Sequence, residues 1–128
     1  MGNKSQRQSD SLNPNRLIGW LVSYALDENG FSYKLIAGRT FIGKTKNSEI
    51  RTLSIDDDSI SSPHLVFKAN ENNKLYAEDV FSDVGSFIQH PNGEEEPIIG
   101  PTELSHGDWI RVGNDTRFQV CLIDEQSK

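Results

Sequence analysis

The sequence has little sulfur, few histidines and no long apolar run. Its 128 residues include one cysteine, Cys121, which excludes an intrachain disulfide and leaves no cysteine-based zinc site to expect. The longest apolar stretch, residues 17–22, already includes Gly19, whereas a membrane span needs roughly 20 apolar residues. The polar first residues lack the apolar segment of a signal peptide. We therefore expect a single-domain protein of a reducing compartment, located in the cytoplasm and without a membrane partner.

Positive charge is also scarce. Lysine and arginine number 13 against 19 aspartates and glutamates, which gives a formal net charge of −6. Domains that bind nucleic acid generally carry a basic face. The charge balance therefore argues against a nucleic-acid partner, and nothing in the composition indicates an oligomeric state.

Motifs of enzymes and metal sites are missing as well. The three histidines lie in unrelated contexts, and there is no G-x-S-x-G elbow, phosphate-binding glycine loop or H-E-x-x-H pattern. The run 56–58 consists of three aspartates but lacks the alternating acids, the glycine and the distal glutamate of a calcium loop. Such a run is most simply a solvated loop. We expect no catalytic residue, no metal and no cofactor, and thus a protein that is not an enzyme.

The chain divides into a polar tail and a β-rich domain. Residues 1–16 are rich in serine, asparagine and glutamine and show no periodicity, which predicts a disordered tail. The β pattern occupies residues 17–124, and residues 125–128 form a short polar C-terminal tail. Many short strands separated by turn residues predict an all-β sandwich or barrel.

Alternation of apolar residues locates the strands of this domain. The first predicted strand covers 17–26, and its period of two places four apolar side chains on one face, those of Trp20, Val22, Tyr24 and Leu26. Further strands are predicted over 31–36, 40–42, 65–69, 75–79 and 116–123, with Phe118, Val120 and Leu122 sharing a face of the last strand.

Four short motifs follow one another along the domain. They are Phe41-Ile42-Gly43-Lys44, then Ser61-Ser62-Pro63-His64 after the acidic run, then Asp79-x-x-Ser82-Asp83-Val84-Gly85-Ser86, then Leu104-x-x-Gly107-Asp108-x-Ile110-x-x-Gly113. Their order and spacing resemble the forkhead-associated (FHA) domain over residues 17–123. The resemblance implies a two-sheet β-sandwich of short, mostly antiparallel strands that binds phosphothreonine peptides through loops at one end.

The resemblance implies roles for the first two motifs. Gly43 matches the glycine of the first binding loop, and Lys44 stands where the family has an arginine that grips phosphate. Ser61 matches the serine whose hydroxyl binds a phosphate oxygen, with Ser62 at the neighbouring contact position. His64 matches the histidine that holds the loop in shape without touching the ligand.

The third motif departs from the family pattern. Gly85 and Ser86 match the family's Gly-Thr, but Asp83 and Val84 replace a residue near the phosphate and an asparagine that clamps the peptide backbone. Gln89 stands at the place of the second asparagine, unless Asn92-Gly93 fills that place after a short insertion.

Two functions are therefore open. In the first, the chain is a non-catalytic signalling module whose partner is a protein phosphorylated on threonine by a Ser/Thr kinase. In the second, it is a scaffold of the same fold whose altered pocket mediates phosphate-independent protein contacts or self-association. The residues that separate the two are Lys44, Asp83 and Val84, because lysine lacks the bidentate fork of arginine, aspartate repels phosphate, and valine cannot form the hydrogen bonds of asparagine.

Overall fold

The computed structural model describes residues 15–47, 49–70 and 72–123, and within these residues it contains strands and no helix. The predicted tails 1–16 and 125–128 therefore lie outside the described residues, except for Asn15 and Arg16. The strands are β1 (Leu17–Ser23), β2 (Phe31–Ile36), β3 (Gly38–Gly43), β4 (Thr52–Ser54), β5 (Leu65–Ala69), β6 (Leu75–Asp79), β7 (Ser86–Gln89), β8 (Glu96–Pro97), β9 (Thr102–Leu104), β10 (Trp109–Val112) and β11 (Thr116–Leu122). No helix in this part of the chain is long and apolar enough to cross a membrane.

The strands form two sheets that pack face to face. One has six strands in the order β2-β1-β11-β10-β7-β8, and the other has five in the order β4-β3-β5-β6-β9. The pairings are antiparallel except that of β3 with β4. The predicted all-β sandwich is confirmed, and the barrel alternative is wrong.

The hydrophobic core lies between the two sheets. Alternate residues of neighbouring strands point inward, as expected for a sheet with one solvated face. The largest fully buried apolar side chains are Phe67, Phe118, Ile18, Leu21, Leu35, Ile42, Leu65, Leu75 and Ile110. Phe118 and Val120 thus occupy the core as their alternation predicts, while Leu122 is only partly buried.

The prediction for the first strand is wrong in its end and in its core face. β1 ends at Ser23 instead of Leu26. Trp20 and Val22 are only half-buried, and the buried apolar side chains of the strand are those of Ile18 and Leu21. Ile18 shares its alternating set with Trp20 and Val22, whereas Leu21 belongs to the other set, so no uninterrupted period of two describes this strand.

The regular pairing of this strand is interrupted at Gly19. A Cβ atom at Gly19 would collide with the carbonyl oxygen of Cys121 on the neighbouring strand, so the two backbones approach closely there. The pairing with β2 also shifts register between Leu17 and Gly19. Tyr24 and Leu26, predicted to continue the face, lie beyond the strand and are exposed.

Four connections meet at one end of the sandwich. The β3–β4 loop (44–51) meets the β4–β5 loop (55–64) through a backbone bond from Lys44 N–H to the Ser61 carbonyl, 3.2 Å. The β6–β7 loop (80–85) joins them, because Asp83 N–H donates to Ser61 Oγ at 3.0 Å. The β10–β11 turn completes the cluster, since Asn114 N–H donates to Ser59 Oγ at 3.0 Å. We call these four connections the loop cluster.

Candidate functional site

His64 is the internal support of the loop cluster. Its side chain is fully buried, and Nδ1 accepts a hydrogen bond from Ser61 N–H at 2.9 Å. The partners therefore assign the ring proton to Nε2, which lies 2.8 Å from the Gly85 carbonyl and donates to it. One imidazole thus joins the β4–β5 loop to the β6–β7 loop. This position agrees with the structural role that the resemblance implies for His64.

Ser61 presents a hydroxyl between these two loops. Its Oγ accepts the backbone N–H of Asp83 at 3.0 Å. A serine hydroxyl has one proton to donate and two acceptor lone pairs, so this bond leaves the proton available. Ser61 is half-buried. It therefore combines a fixed position with a donor that a bound anion can reach.

Lys44 supplies the cation beside Ser61, but acidic side chains already bind it. Its Nζ lies 3.1 Å from Asp56 Oδ1 and 3.5 Å from Asp58 Oδ1. The hydrogen bond to Asp56, the attraction of that carboxylate and the contact with Asp58 raise the pKa of Lys44 above its usual value. The ammonium is thus firmly protonated, and a ligand has to share it with two carboxylates.

Gly43 and Ser62 shape the loop that carries Lys44. A Cβ atom at Gly43 would lie 3.0 Å from Ser62 Oγ, so glycine allows the close approach of the two loops. The Ser62 hydroxyl accepts from Thr45 N–H at 3.0 Å and donates to the Thr45 carbonyl at 3.2 Å. The structure therefore places Ser62, predicted as a ligand contact, in a brace between two loops of the cluster.

A carboxylate network organises the β6–β7 loop from inside. Asp79 accepts hydrogen bonds from Ser82 Oγ and from Ser86 Oγ, both at 2.6 Å, and from Ser82 N–H at 3.0 Å. Burial acts to raise the pKa of Asp79, but the hydrogen bonds from Ser82 and Ser86 outweigh it and lower that pKa. Gly85 follows with a φ of 105°, a conformation that glycine adopts without strain. The network fixes the loop that delivers Asp83 N–H to Ser61.

The predicted contacts of the third motif therefore lie in three different places. Asp83 and Val84 are exposed at the rim of the site. Ser86 is buried, with its hydroxyl bound to Asp79, so it supports the loop from inside and is not presented to a ligand.

Gln89 lies outside the loop cluster. It ends β7, about 10 Å from Ser86 at the strand's rise per residue, and its Nε2 donates to the Gly93 carbonyl at 3.0 Å. The alternative, Asn92-Gly93, belongs to the turn that follows and lies on the same side of the domain. The structure thus brings neither alternative to Ser61.

The sequence analysis did not predict three features of the site. The first is the pairing of Lys44 with the acidic run, which had looked like a solvated loop. The second is the Asp79–Ser82 network, whose signal was present in the Asp-x-x-Ser spacing of the third motif. The third is Phe81, whose side chain is 98% exposed beside the site.

A family model agrees with this architecture and site. The FHA domain model matches residues 38–113, more than half of the chain, so the chain belongs to the FHA domain family. The match runs from β3 through the end of β10 and therefore covers all four connections of the loop cluster up to Gly113. No curated protein matches the sequence at a significant level.

Solved structures of FHA domains share the fold. The FHA domain of the CT664 protein from Chlamydia trachomatis superposes with a TM-score of 0.68 at 20% identity, covering 84% of this chain and 99% of that one. The FHA domain of human APLF, in complex with a bisphosphorylated XRCC1 peptide, gives 0.63 at 19% identity, with 84% and 97% covered. EmbR of Mycobacterium tuberculosis, in complex with a low-affinity phosphopeptide, gives 0.65 at 22% identity, with 94% of this chain but 30% of EmbR covered.

Proposed function

We propose that this chain is a non-catalytic interaction module that binds phosphothreonine peptides at the loop cluster. The observation that carries the proposal is the Ser61 hydroxyl, which keeps its proton while Asp83 N–H and the buried His64 fix its position. Lys44 adds a protonated ammonium on the adjoining loop. A donor and a cation on rigid loops are what a phosphate group needs, because it carries about −1.5 to −2 charges and three acceptor oxygens at neutral pH.

The relatives support the same function. Human APLF and EmbR bind phosphopeptides in their solved complexes, and both share this fold. FHA domains are interaction modules, and a partner marked by a Ser/Thr kinase is the corresponding ligand for this chain. We assign the module to residues 17–124, between the tails 1–16 and 125–128, in a cytoplasmic protein.

A phosphate-independent scaffold is the second candidate function. Asp56 and Asp58 bind the ammonium of Lys44, and Asp83 adds a third carboxylate at the rim. Val84 is 38% exposed where the family has its clamping asparagine. A site with this balance binds phosphate weakly, and its exposed charges are screened by salt. An uncharged protein surface would meet no such repulsion.

Calorimetric titration with paired peptides separates the two functions. The ligand is a phosphothreonine peptide selected from a degenerate library, and its unphosphorylated twin is titrated at the same ionic strength. We expect binding of the phosphorylated form only. Equal affinity for both twins would establish the scaffold function instead.

Two lysine variants test the location of the site in the same titration. Lys44→Ala removes a cation that can form a charge-assisted hydrogen bond with phosphate, so it is expected to weaken phosphopeptide binding about tenfold or more. Lys74→Ala is the matched control, because Lys74 also pairs with a carboxylate, that of Glu103, but lies just before β6, away from the loop cluster. Unchanged binding by Lys44→Ala would place the phosphate elsewhere.

A further inference from the structure

Phe81 has an unusual conformation in the β6–β7 loop. Its φ is 51°, in the left-handed region that non-glycine residues rarely occupy. Two other non-glycine residues of the described chain have positive φ, and both are asparagines, Asn73 and Asn92. Asparagine tolerates this conformation because its side chain can bond to the nearby backbone. Phenylalanine has no such compensation, so the backbone at this position is strained.

The side chain of Phe81 is exposed as well. It is 98% accessible, the highest value among the large apolar residues that the structure describes. An exposed aromatic ring gains nothing from the hydrophobic effect. Strain and exposure therefore coincide at one residue, and neither contributes to the stability of the fold.

The neighbouring residues hold Phe81 in place. Ser82 N–H and Ser82 Oγ both donate to Asp79, at 3.0 and 2.6 Å. On the other side, Val80 N–H donates to the His64 carbonyl at 2.9 Å. The backbone of Phe81 is thus fixed on both sides, and its ring has only two rotatable bonds. Little conformational entropy is lost when a ligand packs against such a side chain.

The ring stands beside the candidate phosphate site. Asp83, whose N–H bonds Ser61 Oγ, is two residues away, so the Cα atoms of Phe81 and Asp83 are separated by at most about 7 Å. Val84 adds a second exposed apolar side chain to the same loop. An extended peptide advances about 3.3 Å per residue, so a side chain within about four positions of a bound phosphothreonine can reach the ring.

From these observations we propose that Phe81 is a specificity-determining residue that packs against an apolar side chain of the phosphopeptide. The inference rests on the proposed function, and it narrows the ligand class to phosphothreonine peptides with an apolar residue near the phosphate. The strained backbone and the exposed ring lie two residues from Asp83, whose N–H bonds Ser61 Oγ. Strain of this kind is concentrated at ligand-binding sites.

The experiment measures binding and stability together. A series of phosphothreonine peptides is used, each with one leucine at one of the four positions before or the four positions after the phosphothreonine. Each peptide is titrated against the wild type, Phe81→Ala and Phe81→Gly. Wild type is expected to favour leucine at one position at least fivefold over alanine, and both variants are expected to lose that preference while still requiring phosphate. Phe81→Gly removes the strain, so its melting temperature is expected to equal or exceed that of the wild type and to exceed that of Phe81→Ala.

Ile123→Ala is the control for loss of an exposed apolar side chain outside the loop cluster, at the end of β11. It is expected to retain the leucine preference. The proposal is overturned if Phe81→Gly keeps the preference, or if the preferred side chain is basic instead of apolar. If wild type binds phosphorylated and unphosphorylated peptides alike, the proposed function fails and this inference fails with it. Phosphate-dependent binding without any leucine preference overturns the role of Phe81 alone.

Discussion

Lys44 Nζ lies 3.1 Å from Asp56 Oδ1, so the cation that we propose for the phosphate site pairs with an acidic side chain of the neighbouring loop. Asp58 Oδ1 is only slightly farther away, at 3.5 Å. Both carboxylates are fully exposed, and the pairing raises the pKa of Lys44. A phosphate that binds Lys44 either displaces these carboxylates or is repelled by them. The acidic run 56–58 therefore lowers the affinity of the site for phosphate.

Neutralising the two acids is expected to tighten phosphopeptide binding. The double substitution Asp56→Asn/Asp58→Asn frees the Lys44 ammonium and removes two like charges near the ligand. Exposed ion pairs are weak, so the dissociation constant is expected to fall only modestly, by about fivefold. Titration calorimetry at two salt concentrations measures both the gain in phosphopeptide affinity and how far salt reduces that gain.

Glu103→Gln is the control for this pair, because Glu103 also pairs with a lysine but lies on β9. It is expected to leave the affinity unchanged. An unchanged affinity in the double variant would show that the carboxylates move aside without cost when ligand binds.

Restoring the family residues at the rim is expected to tighten binding too. Asp83→Thr removes a repelling charge and adds a hydroxyl, and Val84→Asn supplies an amide that can both donate to and accept from a peptide backbone. Ser61 Oγ accepts its hydrogen bond from the backbone N–H of residue 83, so a change of the side chain at this position preserves the bond.

The measurement is the affinity of the combined variant for one phosphothreonine peptide, with the single variants as internal controls. If the combined variant binds only the phosphorylated peptide and the wild type shows no such dependence on phosphate, the natural chain is a scaffold. Weaker binding in the variant would contradict the assigned positions of both residues.

The sequence was sufficient to locate three of the strands. β2, β5 and β6 have the predicted bounds, because each is short and flanked by turn residues such as Gly30 and Asn70. β3 is longer than predicted by three residues, since backbone pairing with β5 extends to Gly38. The face predicted for β1 was wrong because the register shift between Leu17 and Gly19 interrupts the alternation.

The site was predictable where its residues are close in sequence. The spacing of Ser61 and His64 brings serine N–H and imidazole together within one turn, and the structure shows that bond at 2.9 Å. The pairing of Lys44 with Asp56 joins residues twelve positions apart on two loops, so it depends on how the loops fold. No local pattern encodes such a contact. The same holds for Phe81, whose positive φ and exposure have no local signal in the sequence.

Replacing His64 by alanine is expected to destabilise the fold. The substitution leaves a cavity in a fully buried position and removes partners from Ser61 N–H and the Gly85 carbonyl. Large-to-small changes in a core together with orphaned polar groups cost about 2–5 kcal/mol. Urea unfolding monitored by tryptophan fluorescence measures the loss. His106→Ala, which removes an exposed imidazole, is expected to cost far less. A similar small loss for both variants would mean that the loops do not depend on His64.

The lowered pKa of Asp79 predicts a stability difference that depends on pH. Because the folded-state pKa lies below the ordinary value of 3.8, the unfolded chain takes up the proton first as the pH falls. The stabilising contribution of Asp79 is therefore complete at neutral pH and is lost as the pH falls from about 4 through the folded pKa.

Asp57 and Glu95 also have lowered pKa values, so the pH dependence of wild-type stability sums several groups. The difference between wild type and Asp79→Asn isolates one of them. Urea unfolding from pH 7 to pH 2.5 is expected to show a constant difference down to about pH 5 and a shrinking one below pH 4. A difference that persists unchanged at pH 2.5 would show that the hydrogen bonds from Ser82 and Ser86 do not depend on the charge of Asp79.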